Sequence, residues 1–194
     1  MMDRTITLET DRVRIEPLCA VHMPDLIRNA DDPALWEFTY TGNPFTNERD
    51  AERWFDESAV PGHLTFAIVD KPSGETIGST RYFEIFPEHR RLEIGYTFIA
   101  RRFWRTHVNT HCKFLLFRYA FEEWGAVRVQ LKGEAINMRS RNAMQRIGAA
   151  YEGTLRNFRI RPDTGEIRSV SYYSVIAEEW PALKSRLETG IYAV

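Results

Sequence analysis

The sequence predicts an α+β fold (in layers, an α/β three-layer arrangement): a mixed, mostly antiparallel twisted sheet flanked by helices. Three observations carry that expectation. Leu64–Asp70, Thr76–Phe86 and Arg91–Ala100 are strand-like runs joined by tight turns, the pattern of an antiparallel meander. A long apolar run, Asn109–Trp124, separates the third of these from another strand, Val127–Leu131, and makes one strand–helix–strand crossover. Two more strands, Tyr151–Arg161 and Ile167–Ala177, meet across Pro162-Asp-Thr-Gly165.

Taken in order, Ile6 to Leu18 reads as two short strand segments, with Val13 and Ile15 alternating against Arg12, Arg14 and Glu16. Ala20–Ala30 has helical spacing, with Met23, Leu26 and Ile27 on one face. Thr46 is the expected cap of a helix over Asn47–Ala59 that turns Ala51, Trp54 and Phe55 inward and stops at Pro61-Gly62. Lys71-Pro-Ser-Gly74 is a hairpin turn with glycine where positive φ is needed. The helix Asn109–Trp124 carries His111, Arg118 and Glu122 as a narrow polar stripe on an otherwise apolar surface, so it is expected to be largely buried. Met138–Ile147 is a helix closed by Gly148 as a left-handed cap, and Glu178–Leu187 ends the chain as a helix.

Composition narrows the function classes. A chain of 194 residues with 43% hydrophobic content is expected to form one domain over its whole length. Its 26 basic and 27 acidic residues leave a net charge of -1, so no global field points to nucleic acid. The two cysteines, Cys19 and Cys112, match no disulfide framework and fit a reducing cytoplasm. The polar N-terminus resembles no signal peptide, and no apolar run approaches the roughly 18 residues that span a bilayer. A soluble cytoplasmic protein without nucleic-acid or membrane partners is the expectation.

Chemistry concentrates between Leu92 and Gly153. The strand LEIGYTFIA runs into the loop RRFWRTHVN, which opens the long helix; VRVQL then leads to Asn137-Met-Arg-Ser140 and a second helix start. The first backbone N–H groups of a helix have no partner within it, so strand, loop and helix start together form an anion-binding arrangement. Trp104, Arg105, Thr106, His107, Val108, Asn109 and Thr110 would present such groups to a phosphate, and Arg101, Arg102 and Arg105 are local basic residues. No phosphate-loop or dinucleotide motif is present.

The ordered segments LEIGYTF, W-R-T-x-V-N-T, AFEEWGAVRV, N-x-R-S, IGA and EGTLR resemble the GNAT acetyltransferase superfamily, most closely its branch of ribosomal-protein N-acetyltransferases. The likeness runs from LETDRVRIEPL to the last strand pair. It implies a GNAT-like acyltransferase fold in which acetyl-CoA lies where two neighbouring parallel strands, Glu93–Ile99 and Val127–Leu131, splay apart. Phe98 and Ile99 would hydrogen-bond the pantetheine arm, and Trp104 to Thr110 would cradle the pyrophosphate. The family pattern (Arg/Gln)-x-x-Gly-x-(Gly/Ala) falls on Trp104-Arg-Thr-His107-Val-Asn109, which has neither glycine. A positive φ at His107 would cost about 1 kcal/mol or more.

By the same resemblance, Glu93 aligns with a strand glutamate that serves some relatives as general base, and Ser140, three residues after Asn137, with a serine that meets the departing thiolate. The tyrosine acid of many GNAT enzymes falls on Met144 here, which cannot donate a proton. Arg139, Arg141 and Arg146 are candidates for the CoA 3′-phosphate, and Gly95 for a bulge or close cofactor approach. Trp36, Phe38, Tyr40, Tyr82 and Phe83 fall in segments that line the acceptor side in relatives, although such aromatics are generically core. The function implied is transfer of an acetyl group from acetyl-CoA to a primary amine, on a protein N-terminus or small molecule, by direct attack in a ternary complex, in a monomer or homodimer. Two other readings stand beside it: a GNAT-fold CoA-binding or regulatory module that has lost catalysis with its loop glycines, and a metal site at His107 and His111, against which stands the lack of further ligands.

Overall fold

The computed structural model describes residues 2–40 and 42–192. Eight strands form one sheet in the order β1-β2-β3-β4-β5-β6-β8-β7. They are β1 (Leu8–Glu9), β2 (Val13–Pro17), β3 (Leu64–Asp70), β4 (Glu75–Phe86), β5 (Arg91–Ile99), β6 (Arg128–Glu134), β7 (Ala150–Ile160) and β8 (Ile167–Ile176). Every neighbouring pair is antiparallel except β5 and β6, which run parallel because the crossover between them passes through a helix. The helices are α1 (Met23–Asn29), α2 (Glu48–Ser58), α3 (Val108–Arg118), α4 (Met138–Arg146) and α5 (Trp180–Tyr192). The mixed, mostly antiparallel sheet flanked by helices is therefore as expected.

Strand alternation assigns the two faces of the sheet. Leu92, Ile94, Val129, Leu131, Tyr173 and Val175 pack with Phe114, Leu115 and Phe117 of α3 and with Trp180, Leu183 and Leu187 of α5 in one continuous core. At roughly 1.5–3 kcal/mol per large apolar side chain, this layer supplies most of the driving force for folding. On the other face a smaller cluster of Leu26, Ala30, Leu35, Trp36, Phe45, Ala51 and Phe98 seats α1 and α2. Glu93, Gln130 and Lys132 alternate out of the first core and lie on this second face.

Local chemistry moves several expected boundaries. Asn47, not Thr46, caps α2: its side chain accepts from Asp50 N, while Thr46 Oγ1 donates to the Asp50 carboxylate. Ala20–His22 is a 3-10 turn ahead of α1, and Pro24 at the helix start sets the register. The α3 α-helix ends at Arg118 and continues as a π-helical turn over Tyr119–Glu123. Of the expected polar stripe only His111 is buried; Arg118 is half-buried and Glu122 exposed. His111 is buried and hydrogen-bonded to Thr10 Oγ1 at 2.8 Å, and Lys113 is buried and donates to Thr97 Oγ1. Strand β6 runs on to Glu134, whose buried carboxylate pairs with Arg159 and Arg168. The last helix begins at Trp180 after a turn and reaches Tyr192. Tyr82 is wholly buried and donates to Leu116 O, so it is core rather than acceptor-lining.

Candidate functional site

The site begins where β5 and β6 part. Their parallel ladder pairs Arg91 with Arg128, Leu92 with Val129 and Glu93 with Gln130, and ends there, although β5 runs on to Ile99 and β6 to Glu134. A bulge in β5 opens the gap. Pairing with β4 passes from Arg81↔Gly95 to Ser79↔Phe98, so β5 carries one extra residue, and Tyr96 takes φ 50° to accommodate it. A Cβ at Gly95 would lie 2.7 Å from Phe83 Cε1, so any side chain there would have to displace that ring.

Glu93 stands at the last paired position and is 1% exposed. Gln130 Nε2 donates to its Oε2 at 2.7 Å, and Lys132 Nζ forms an ion pair with the same oxygen at 3.1 Å. Its Oε1 is buried and has no hydrogen-bond partner. Burial pushes the Glu93 pKa up; Lys132 and Gln130 oppose the rise without cancelling it. Lys132 also bridges to Glu84, and these two carboxylates hold its pKa up against burial. A carboxyl group with a raised pKa and one free oxygen is suited to accept a proton near neutral pH.

Ser140 lies on the opposite face of the sheet. Its Oγ is 3.2 Å from where a Cβ on Gly133 would stand, which places it over the outer end of β6 on the α3 side. Asn137 is the N-cap of α4, its Oδ1 accepting from Ser140 N at 3.0 Å. Asn137 is thus a capping residue, and Ser140 sits in the first turn, where the helix dipole favours negative charge.

The loop to α3 reverses the chain through the 3-10 turn Arg101–Phe103, an extended Trp104, and Arg105 at φ 60°. His107 has φ -65° and ψ -24°, ordinary right-handed geometry, so the expected strain at that position does not occur. The left-handed residue is Arg105, two positions earlier. The His107 ring turns toward His111, 5.1 Å away between centroids, in the field of Arg12, Asp70 and Asp11; burial lowers its pKa. Among the described residues, no group of three or more His, Cys, Asp or Glu is placed to hold a metal. The first backbone bond into α3 is His111 N to His107 O. Ahead of it, the N–H groups of Thr106, His107, Asn109 and Thr110 carry no acceptor among the described residues, and that of Val108 has only Thr106 Oγ1 at 3.4 Å. The glycine-free loop thus leaves these N–H groups without protein acceptors at the start of α3, where an anion is favoured. His107→Gly is accordingly expected to bring no gain in acetyl-CoA affinity, measured by calorimetry; a clear gain would show that the His107 side chain obstructs the cofactor.

The other predicted residues divide. Phe98 joins the aromatic cluster with Trp36, Phe45 and Trp54, and its backbone pairs with Ser79. The Ile99 carbonyl accepts from Trp104 Nε1 at 2.8 Å, so the indole already occupies the edge expected for pantetheine. Trp104 lies between two guanidinium groups, Arg101 at 4.2 Å and Arg139 at 3.8 Å, and Arg139 also donates to Ala34 O. Arg141 is bound to Tyr173 Oη and Ala135 O. Arg139 and Arg141 are thus held by neutral oxygens, with no carboxylate partner among the described residues. Arg146 is exposed in the last turn of α4 and has no ion-pair partner among the described residues. Of the basic loop residues, Arg102 is taken by Glu75, and Arg105 alone is exposed and unpaired among the described residues. Sequence reasoning missed Gln130 and Lys132. Their alternation in VRVQLKGE was a usable signal, but only the β5–β6 register places them against Glu93.

The end of the β5–β6 ladder, the start of α3 with its unpartnered N–H groups, and the buried Glu93 carboxylate are the features of this candidate site. Residues 12–150 match the family described as the acetyltransferase (GNAT) domain, and the chain belongs to that family. The chain is 29% identical over 186 residues to the FsC-acetyl coenzyme A-N(2)-transacetylase of Aspergillus fumigatus, covering 90% of this chain and 77% of that one. It superimposes on a GCN5-related N-acetyltransferase from Brucella melitensis with a TM-score of 0.90 at 28% identity, covering 95% and 85% of the two chains. An acetyltransferase candidate from T. thermophilus gives 0.88 at 37% identity, covering 99% and 100%. Mycobacterium smegmatis RimJ, solved with CoA-disulfide, shares the fold at 16% identity, with a TM-score of 0.75 over 96% of this chain and 94% of that one. The protein is a GNAT acetyltransferase, and enzymes of this family use acetyl-CoA. No helix among the described residues is long and apolar enough to cross a membrane.

Proposed function

We propose that this chain is a single-domain cytoplasmic enzyme that transfers the acetyl group of acetyl-CoA to a primary amine by direct attack in a ternary complex. The observation that carries the reading is the placement of Glu93 at the last rung of the β5–β6 ladder, buried, with Oε1 unpartnered. Acetyl-CoA would lie on the α3 side, its pyrophosphate on the N–H groups from Thr106 to Thr110 and its thioester at the splay. The acceptor would approach from the opposite face. Glu93 would take the first ammonium proton; the freed amine would form the C–N bond as the C–S bond breaks, and the second proton that nitrogen sheds would be relayed through Ser140 at the α4 N-terminus to the departing thiolate, which leaves as the CoA thiol. Arg105 and Arg146 are exposed cations without an ion-pair partner among the described residues and would be available to cofactor phosphates.

The Asn137-x-x-Ser140 pattern supports the RimJ/RimL-like branch, while the N(2)-transacetylase relative supports nitrogen as the acceptor atom without fixing the acceptor class. Against the alternative of a module without catalysis stands the right-handed backbone at His107, which removes the strain that a missing glycine there would bring. The test is thermal unfolding with and without acetyl-CoA, joined to an acceptor panel of amines and peptide N-termini. A raised Tm with acetyl transfer is expected. A raised Tm without transfer to any amine would favour the binding module, and no shift would overturn both.

A further inference from the structure

The second face of the sheet contains a cation without an anion. Arg81 lies on β4 opposite Gly95, one same-face step from Phe83, which is opposite Glu93. It is 4% exposed. Its Nη1 donates to His63 Nδ1 at 3.2 Å, and its Cζ lies 4.3 Å from the centre of the Tyr96 ring and 6.0 Å from that of Trp54. Its Nε is buried with no hydrogen-bond partner, and among the described residues no carboxylate comes within ion-pair distance of it. The acid that acts on it at longer range is Glu57 on α2, which is exposed. Burial pulls its pKa down, yet an arginine stays charged at any working pH.

A buried guanidinium with an orphaned donor is costly unless an anion completes it. The aromatic faces of Tyr96 and Trp54 offset part of that cost but accept nothing from Nε. Tyr96 itself is 58% exposed and sits on the β5 bulge with left-handed backbone, so the ring over the guanidinium belongs to the element that opens the cleft. Arg168 has an unpartnered buried Nε as well, so the contrast lies in charge: that arginine is neutralised by Glu134 and Glu166, whereas Arg81 has no carboxylate beside it among the described residues.

Resting on the proposed function, we infer that the acceptor amine also bears a carboxylate, and that Arg81 binds it while Glu93 receives the ammonium proton. Lys132, on the far side of Glu93, is already neutralised by Glu93 and Glu84, which leaves Arg81 as the uncommitted charge of this face. The substrates are then amino acids or short peptides with a free carboxylate, in preference to the corresponding amides.

Matched pairs test this: free L-amino acids and dipeptides against their carboxamides, assayed with acetyl-CoA on the wild type, Arg81→Met and Arg81→Lys. The wild type is expected to favour carboxylate members by about tenfold or more in kcat/KM. The ratio should collapse toward one in Arg81→Met and recover in part in Arg81→Lys, which keeps the charge should the methionine variant fold poorly. Equal wild-type rates for both members, or a preference that survives Arg81→Met, would overturn the inference. So would a wild type stabilised by acetyl-CoA that neither acetylates nor is further stabilised by any carboxylate compound, and that result leaves the cofactor reading standing. Absence of any acetyl-CoA shift would remove the proposed function and this inference with it.

Discussion

Glu93→Gln is expected to lower kcat by about 100-fold or more while leaving acetyl-CoA binding intact. The substitution keeps an acceptor for Gln130 and nearly the same volume in a site that is 1% exposed, so packing is conserved and the loss falls on proton transfer. The pH profile gives a second readout. Burial raises the Glu93 pKa, so the acid limb of kcat/KM should lie above that of an ordinary glutamate, at about 4.3, and disappear in the variant. Stability carries the opposite sign. A folded-state pKa above the unfolded value favours folding below the unfolded pKa, and that contribution is lost as pH rises through the folded one. The ionised base therefore costs stability where it serves catalysis, and the ion pair with Lys132 offsets part of that cost. A variant with unchanged kcat would remove Glu93 from the reaction.

The second large effect is structural. A Cβ at Gly78 would lie 2.2 Å from Phe98 O and 3.0 Å from Ile99 Cα, both backbone atoms of β5. No rotamer relieves such a contact, so Gly78→Ala must push β4 from β5 at the strand half that borders the cleft. A loss toward the upper end of the roughly 1–3 kcal/mol range for overpacking is expected in urea unfolding. The acetyl-CoA shift in Tm should fall with it, because Phe98 and Ile99 follow directly on the bulge. A variant as stable as the wild type would show that the β4–β5 approach is looser than described.

Much of the fold is legible in residue patterns because those patterns are burial patterns. The meander, the crossover and the hairpin at Pro162–Gly165 follow from alternation, helical periodicity and turn chemistry, and each is present. The ends of elements were less legible: Thr46 and Asn47 are both good caps, and only the Asp50 amide decides between them. In the site, Glu93 and Ser140 came from the family resemblance. What they touch depended on register, which one strand does not encode. Gln130 and Lys132 become neighbours of Glu93 only through the short parallel ladder. The strain considered at His107 is absent for a backbone reason. The 3-10 turn and the left-handed Arg105 complete the reversal before the helix starts, so position 107 can be right-handed and carry a side chain. Arg81 has no sequence signal of its own; it reads as an outward-facing strand arginine until α2 and the bulge enclose it.

The most direct test of the account is a crystal structure with acetyl-CoA bound. It should show the pyrophosphate on the backbone N–H groups of Thr106 to Thr110, the pantetheine between β5 and β6, and the thioester at the level of Glu93, with Ser140 on the sulfur side. Acetyl-CoA bound elsewhere, or a thioester distant from the end of the β5–β6 ladder, would contradict it.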